Sequence, residues 1–196
     1  EGGGITVDGE GTVITTESCF PNKNRNPYLT KKEIETELCR TLGTSKVVWI
    51  PGDPDETGTD GHIDGIAAFI EPGRVLVEVN PDSSDPHYPV GKNNMEALKN
   101  IKDAKGRRLE LEFINEASYH PEVRDDECGS YINSYLANGA VVVPGYNANE
   151  GERDFEAIET YQKIYPERTV VQVQINDIAV GGGGIHCITQ QQPRNK

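Results

Sequence analysis

Tyr131-Ile132-Asn133-Ser134-Tyr135-Leu136-Ala137-Asn138-Gly139-Ala140-Val141-Val142-Val143 places two extended runs, Tyr131–Leu136 and Ala140–Val143, on either side of an Asn-Gly pair. That pair is the strongest short-range signal for a tight hairpin. Downstream, Arg153–Ile164 carries Phe155, Ile158 and Tyr161 with helical spacing, and Val170–Ile175 is strand-like again. The local order is therefore ββαβ.

The same plan recurs twice toward the N-terminus. Ile63–Ile70 and Arg74–Val79 flank Pro72-Gly73, a helix is predicted over Lys92–Asp103 with Met95, Leu98 and Lys102 along it, and Leu109–Ile114 closes the unit. Earlier still, Gly4–Asp8 and Gly11–Thr16 surround a turn at Gly9. Thr30 is placed to cap a helix over Lys31–Leu42, with Glu33 completing a capping box and Ile34, Leu38 and Leu42 forming one apolar stripe. Lys46–Ile50 is the closing strand. The units run approximately over 1–61, 62–128 and 129–184, with a further one starting over 185–196. Such repetition predicts an α/β fold of ββαβ modules that bury their sheets against one another, as in a ring or propeller. The competing reading is an ordinary α+β domain whose regularity is accidental.

Composition narrows the function. A chain of 196 residues supports one substantial core. Its net charge of −13 argues against nucleic acid or an anionic membrane as partner and suits a cationic ligand. No apolar run reaches the length of a membrane span, and no signal peptide is visible. Cys19, Cys39, Cys128 and Cys187 are widely and irregularly spaced, which disfavours a zinc site or a disulfide scaffold and points to reduced thiols in the cytoplasm. The chain opens at Glu1-Gly2-Gly3-Gly4 without an initiator methionine, so a piece of a longer polypeptide is expected.

Chemistry-bearing residues fall at the unit starts. Glu1 opens the first, His62-Ile63-Asp64 the second, and Gly181-Gly182-Gly183-Gly184-Ile185-His186-Cys187 the last. A pseudo-symmetric ring would point equivalent strands at one axis, bringing Glu1, His62, Asp64 and Cys187 together as nucleophile, base and two carboxylates. The glycine run lets a flat ligand lie close to backbone at Gly184. Read as a strand, 62–64 puts His62 and Asp64 on one face, and His186 on the face opposite Cys187. Plainer readings stand beside these. Cys187 also fits as small apolar filler after a glycine-rich turn, and His-x-Asp as half of a metal site. His87 and His120 lie beside prolines and are read as structural or exposed.

The strings EGGGITVDGEGTVITTESC, NKNRNP, TDGHIDGIAAF, SYINSYLANGAVVVPGYN and GGGGIHCITQQQP resemble those of the agmatine deiminases, of the guanidine-modifying (pentein) superfamily, from the first residue to the last. The resemblance implies a five-bladed α/β propeller of which about three units are present. It implies hydrolysis of agmatine to N-carbamoylputrescine and ammonia through a thiouronium on Cys187. His62 is then the acid/base, Glu1 its partner, and Asp64, Asp60 and Gly184 contact the substrate, with no metal or organic cofactor. The family's upstream Trp/Asp motif has no counterpart here, since the one tryptophan, Trp49, falls in a closing strand. The implied partners are a small cationic guanidine and the remaining N-terminal part of the same propeller; homo-oligomerisation is left open. No Arg or Lys occurs in the unit-start segments, which favours agmatine over free arginine because a substrate carboxylate would lack a counter-ion. Other guanidines (peptidyl-arginine or free arginine), a cysteine peptidase and an inactive guanidinium-binding fragment remain as alternatives.

Overall fold

Thr12–Thr16 forms the middle of a three-stranded sheet, with all five residues buried. Valine, isoleucine and threonine in this run are the branched residues that suit a pleated, enclosed strand. The computed structural model describes residues 1–117, 128–146 and 151–192. They fall into two compact units, Glu1–Glu116 and Ala117–Lys196.

In the first unit β1 (Thr6–Val7) pairs antiparallel with β2 (Thr12–Thr16) in the register Thr6↔Ile14. After α1 (Lys31–Leu42), β3 (Lys46–Ile50) joins β2 in parallel, with Ile14 opposite Val48. The second sheet repeats the order. β4 (Ala67–Glu71) is antiparallel to β5 (Arg74–Val79), α2 (Tyr88–Leu98) follows, and β6 (Glu110–Asn115) is parallel to β5. One apolar core contains Ile14, Val48 and Ile50 of the first sheet with Ile63, Phe69, Val75, Val77 and Leu98 of the second module. Each such side chain contributes about 1.5–3 kcal/mol by burial.

In the second unit β7 (Tyr135–Ala137) and β8 (Ala140–Gly145) form the hairpin. Then α3 (Glu152–Ile164) leads to β9 (Thr169–Gln174), parallel to β8, and a short α4 spans Asn176–Ala179. The ββαβ repeat is thus present three times, and the fold class is α/β as expected.

Local signals worked where they were strongest. The capping box forms, with Thr30 Oγ1 accepting from Glu33 N–H and Glu33 Oε2 accepting from Thr30 N–H at 2.8 Å. Two helices depart from the expectation. α2 starts and stops earlier than Lys92–Asp103: Pro89 sits in its first turn, where a missing N–H costs nothing, and Asn100 at φ 66° lies past its end. On α3 the inward face carries Asp154, Ala157, Tyr161 and Ile164, while Phe155 is exposed. Asp154 is tolerated there because it accepts from Tyr131 O–H at 2.8 Å and Tyr146 N–H at 3.0 Å.

Candidate active site

Glu1 precedes a 3-10 turn, Gly2–Gly4, rather than a strand. Two successive hydroxyls of β2 tie the neighbourhood together. Thr15 Oγ1 donates to Gly4 C=O at 2.8 Å, and Thr16 Oγ1 donates to Gly61 C=O at 2.7 Å. A Cβ on Gly3 would collide with the His62 ring and come within 2.9 Å of Asp64 Oδ2. Glycine there lets the backbone lie flat against both side chains.

The segment leading to His62 is wound around one carboxylate. Glu56 accepts from the backbone N–H groups of Gly58, Thr59 and Gly61, the last at 2.9 Å, and from Thr59 Oγ1. Burial acts to raise its carboxyl, but the Thr59 hydroxyl and the backbone donors carry it below the ordinary value. Asp60 and Gly61 have φ of 60° and 76°, and a Cβ on Gly61 would strike the Asp53 backbone. His62 then enters a second 3-10 turn, Ile63–Gly65.

His62 therefore meets Asp64 through a turn, not across one face of a strand; Nδ1 lies 3.8 Å from Asp64 Oδ1. Its Nε2 is 3.3 Å from Glu1 Oε1. His62 and Asp64 are largely buried, whereas Glu1 is 39% exposed. Asp60 belongs to the same cluster. So the structure brings four of the six expected residues, Glu1, Asp60, His62 and Asp64, into one place in the first unit.

Arg25 joins them, which sequence reading missed. Its Nε bonds to Glu1 Oε1, its Nη1 lies 2.5 Å from Asp60 Oδ2, and its Nη2 donates to Thr59 C=O at 2.7 Å. The same Nη2 is 3.4 Å from His62 Nε2. The unit-start segments themselves hold no Arg or Lys, as read from the sequence, but the fold brings one to them: Arg25 comes from the turn-rich NKNRNP loop. All three of its nitrogens are engaged within the protein. Burial works against ionisation of Glu1, but the Arg25 bond and the His62 and Arg25 charges hold its carboxyl below the usual value.

Cys19 Sγ lies 3.5 Å from Glu1 Oε1. Burial pushes this thiol up to about 12, the Arg25 charge opposes the rise and the Glu1 carboxylate adds to it. Donor atoms of Glu1, Cys19 and His62 lie within 4.8 Å of one another, a spacing a metal ion accepts. Arg25 on the same Glu1 oxygen and a protonated thiol both oppose one.

In the second unit Cys187 is exposed in a turn over 185–188, closed by Thr189 N–H to His186 C=O at 3.1 Å. The expected strand, and with it the reason for turning His186 away from Cys187, is absent. Asn133 organises this turn: Oδ1 accepts from His186 N–H at 2.9 Å and Cys187 N–H at 3.3 Å, and Nδ2 donates to Cys187 Sγ at 3.3 Å. Gly184 is buried, and a Cβ on it would run into the Asn133 carboxamide. Its missing side chain makes room for Asn133, a role different from cradling a ligand. Sequence reading placed Asn133 in a strand, whereas β7 begins at Tyr135.

All four cysteines are thiols. His87 is exposed, with Nδ1 3.9 Å from Asp53 Oδ2; His120 lies outside the described residues. Among the described residues no helix is long and apolar enough to cross a membrane.

Residues 1–193 match the model of the Porphyromonas-type peptidyl-arginine deiminase family. The agmatine deiminase of Ectopseudomonas mendocina is 39% identical over 214 residues, covering 98% of this chain and 56% of its own length. That of Medicago truncatula is 40% identical over 216 residues, with 98% and 56% covered. Among solved structures, the agmatine deiminase of Enterococcus faecalis superposes with a TM-score of 0.93 at 34% identity, over 99% of this chain and 57% of that one. The chain thus spans a little over half the length of the curated relatives it matches.

Proposed function

This chain belongs to the Porphyromonas-type peptidyl-arginine deiminase family, and on that premise we propose that it carries the deimination chemistry of an enzyme acting on agmatine. One observation carries the reading. The imidazole of His62 has a carboxylate on each side, Glu1 at Nε2 and Asp64 at Nδ1. An imidazole so flanked can hold a proton and surrender it, as an acid/base must.

The guanidinium carbon is a weak electrophile, because resonance spreads its charge over three nitrogens. Asp64 and Asp60 fix the planar cation through paired hydrogen bonds. The thiolate of Cys187 adds to the carbon, forming a C–S bond. His62 protonates the departing nitrogen, the C–N bond breaks and ammonia leaves, with a thiouronium on sulfur. His62, now neutral, takes a proton from water as its oxygen attacks the same carbon. The C–S bond breaks, restoring the thiolate, and the new hydroxyl yields its proton to solvent, where the released ammonia takes one up as ammonium, so that neutral-headed N-carbamoylputrescine leaves and His62 is again protonated. Glu1 steadies the imidazolium through both halves.

Agmatine is the favoured substrate because the charge of Arg25, the cation at this site, is already matched by the carboxylates of Glu1 and Asp60, so an arginine carboxylate would have to compete with both for it. A cytoplasmic location, a propeller completed by the rest of the polypeptide, and action without a metal or organic cofactor belong to the same reading. The test is ammonia and N-carbamoylputrescine release by the full-length protein from agmatine, free arginine and a peptidyl-arginine. Agmatine should lead arginine by about a thousandfold in kcat/KM, roughly 4 kcal/mol. Values within tenfold would remove the substrate assignment, and no ammonia from any of the three would remove the activity.

A further inference from the structure

Arg25 reaches three separate pieces of chain with one planar group. Nε serves Glu1 at the start of the chain, Nη1 serves Asp60 and Nη2 serves Thr59, 35 and 34 residues further along the sequence. Asn24 reinforces the join, its Nδ2 lying 3.3 Å from Asp60 Oδ2. A lysine offers a single charged nitrogen and cannot span these three acceptors, whose directions match a guanidinium fork.

We propose that Arg25 is a positioning residue, a counter-ion that holds Glu1, Asp60 and Thr59 as one frame around His62 and keeps divalent metal ions off the Glu1, Cys19 and His62 donors. Its part in the reaction rests on the function proposed above; its exclusion of metal does not.

The groups facing His62 are Glu1, Asp64, Cys19 and, 3.4 Å from Nε2, Arg25, with Asp60 behind Arg25. Carboxylate, thiol and imidazole within 4.8 Å are a donor set that zinc or cobalt accepts readily. With Arg25 in place, a dication would have to expel a guanidinium bonded to the same Glu1 oxygen. It would also have to part Cys19 Sγ from Glu1 Oε1, 3.5 Å away. Without Arg25 the balance reverses. Glu1 and Asp60 lose their counter-ion, and a dication becomes the group that neutralises them.

The experiment uses the full-length protein, stripped of metal by a chelator, as wild type, R25A, R25K and R25A/C19S, titrated with cobalt(II). R25A should take up about one equivalent, with a sulfur-to-cobalt charge-transfer band that R25A/C19S lacks, while wild type and R25K bind at least ~100-fold more weakly. The same proteins, assayed on agmatine with chelator present, should show R25A losing ~10–100-fold in kcat with KM within about threefold, and R25K regaining only part. Wild type that binds cobalt as tightly as R25A overturns the exclusion of metal; R25A with the parent kcat overturns the positioning role. If R25A does not fold, R25Q carries both readouts. A wild type that releases no ammonia from any guanidine sinks the proposed activity, while the cobalt titration still decides the metal claim.

Discussion

The segment before His62 and the turn that bears Cys187 are both short, glycine-containing and wound about one side chain, but the side chains differ in kind. Glu56 gathers three backbone N–H groups and a hydroxyl with a negative charge. Asn133 gathers two N–H groups with a neutral carboxamide and uses its other end on sulfur. Around the first lie ion pairs among Arg25, Glu1, Asp60 and His62; around the second, the close fit of Gly184 to Asn133 does the holding. One region is organised by charge and the other by shape. Acid should therefore loosen the first and spare the second, whereas added volume should disturb both, since Gly3 lies as close to His62 as Gly184 does to Asn133.

The largest expected effects lie at the chemical groups. Cys187→Ser and His62→Ala should each lower kcat for ammonia release by ~1,000-fold or more in the full-length protein. His186→Ala should cost less than about tenfold, because the backbone N–H that Asn133 Oδ1 holds survives the substitution. A greater loss at His186 than at His62 would reassign the base.

Next come the two close approaches. Gly184→Ala forces a methyl into the Asn133 carboxamide, and Gly3→Ala forces one into the His62 ring. Each should reduce kcat/KM by ~10–100-fold and lower the melting temperature, since overpacking costs about 1–3 kcal/mol. Should both variants melt and turn over like the parent, close fit is not what holds either side.

Glu56→Gln separates the regions most cleanly. Glutamine keeps one acceptor oxygen and replaces the other with a donor that backbone N–H groups cannot use. About a tenfold loss in kcat/KM is expected. The folded carboxyl of Glu56 lies below its ordinary value, so its contribution is present above the unfolded pKa and is lost as pH falls through the folded one. Amide exchange at Gly58, Thr59 and Gly61 should speed up on acidification relative to its intrinsic rate, while exchange at His186 and Cys187 should not. In Glu56→Gln that acid dependence should vanish; equal acid sensitivity at both segments would erase the contrast.

The smallest effect belongs to Cys19→Ala. With its pKa pushed up to about 12, this thiol stays protonated through the working range and does not act as a nucleophile. Less than about threefold in kcat is expected, and iodoacetamide at pH 8 should label Cys187 and leave Cys19.

What could be read from the sequence was what short-range physics encodes. α1, β3 and β5 begin and end where the capping box and the turn residues place them. α2 slipped because an apolar stripe fixes a helix face better than its ends, and Pro89 was not weighed as a starter. On α3 the apolar residues did not mark the inner face: Phe155 is exposed, and Asp154, with a tyrosine hydroxyl and a backbone N–H to serve it, lies on the buried side. Of the site, the charged residues at unit starts were visible because they recur in register with the repeat. Arg25, Glu56 and Asn133 were not. Each acts by bonding to side chains or backbone that no periodicity marks, Arg25 across 24 residues to Glu1 and Asn133 across 54 to Cys187.

The paired hydroxyls of β2 also close two loops of unequal cost. Thr15 closes a loop of 11 residues onto Gly4, and Thr16 closes one of 45 residues onto Gly61. Closing the longer loop costs about 1.2 kcal/mol more in chain entropy. Holding the Glu1 end against β2 thus costs less than holding the segment that carries His62, so the 45-residue span with α1 and β3 inside it must supply the difference through its own packing.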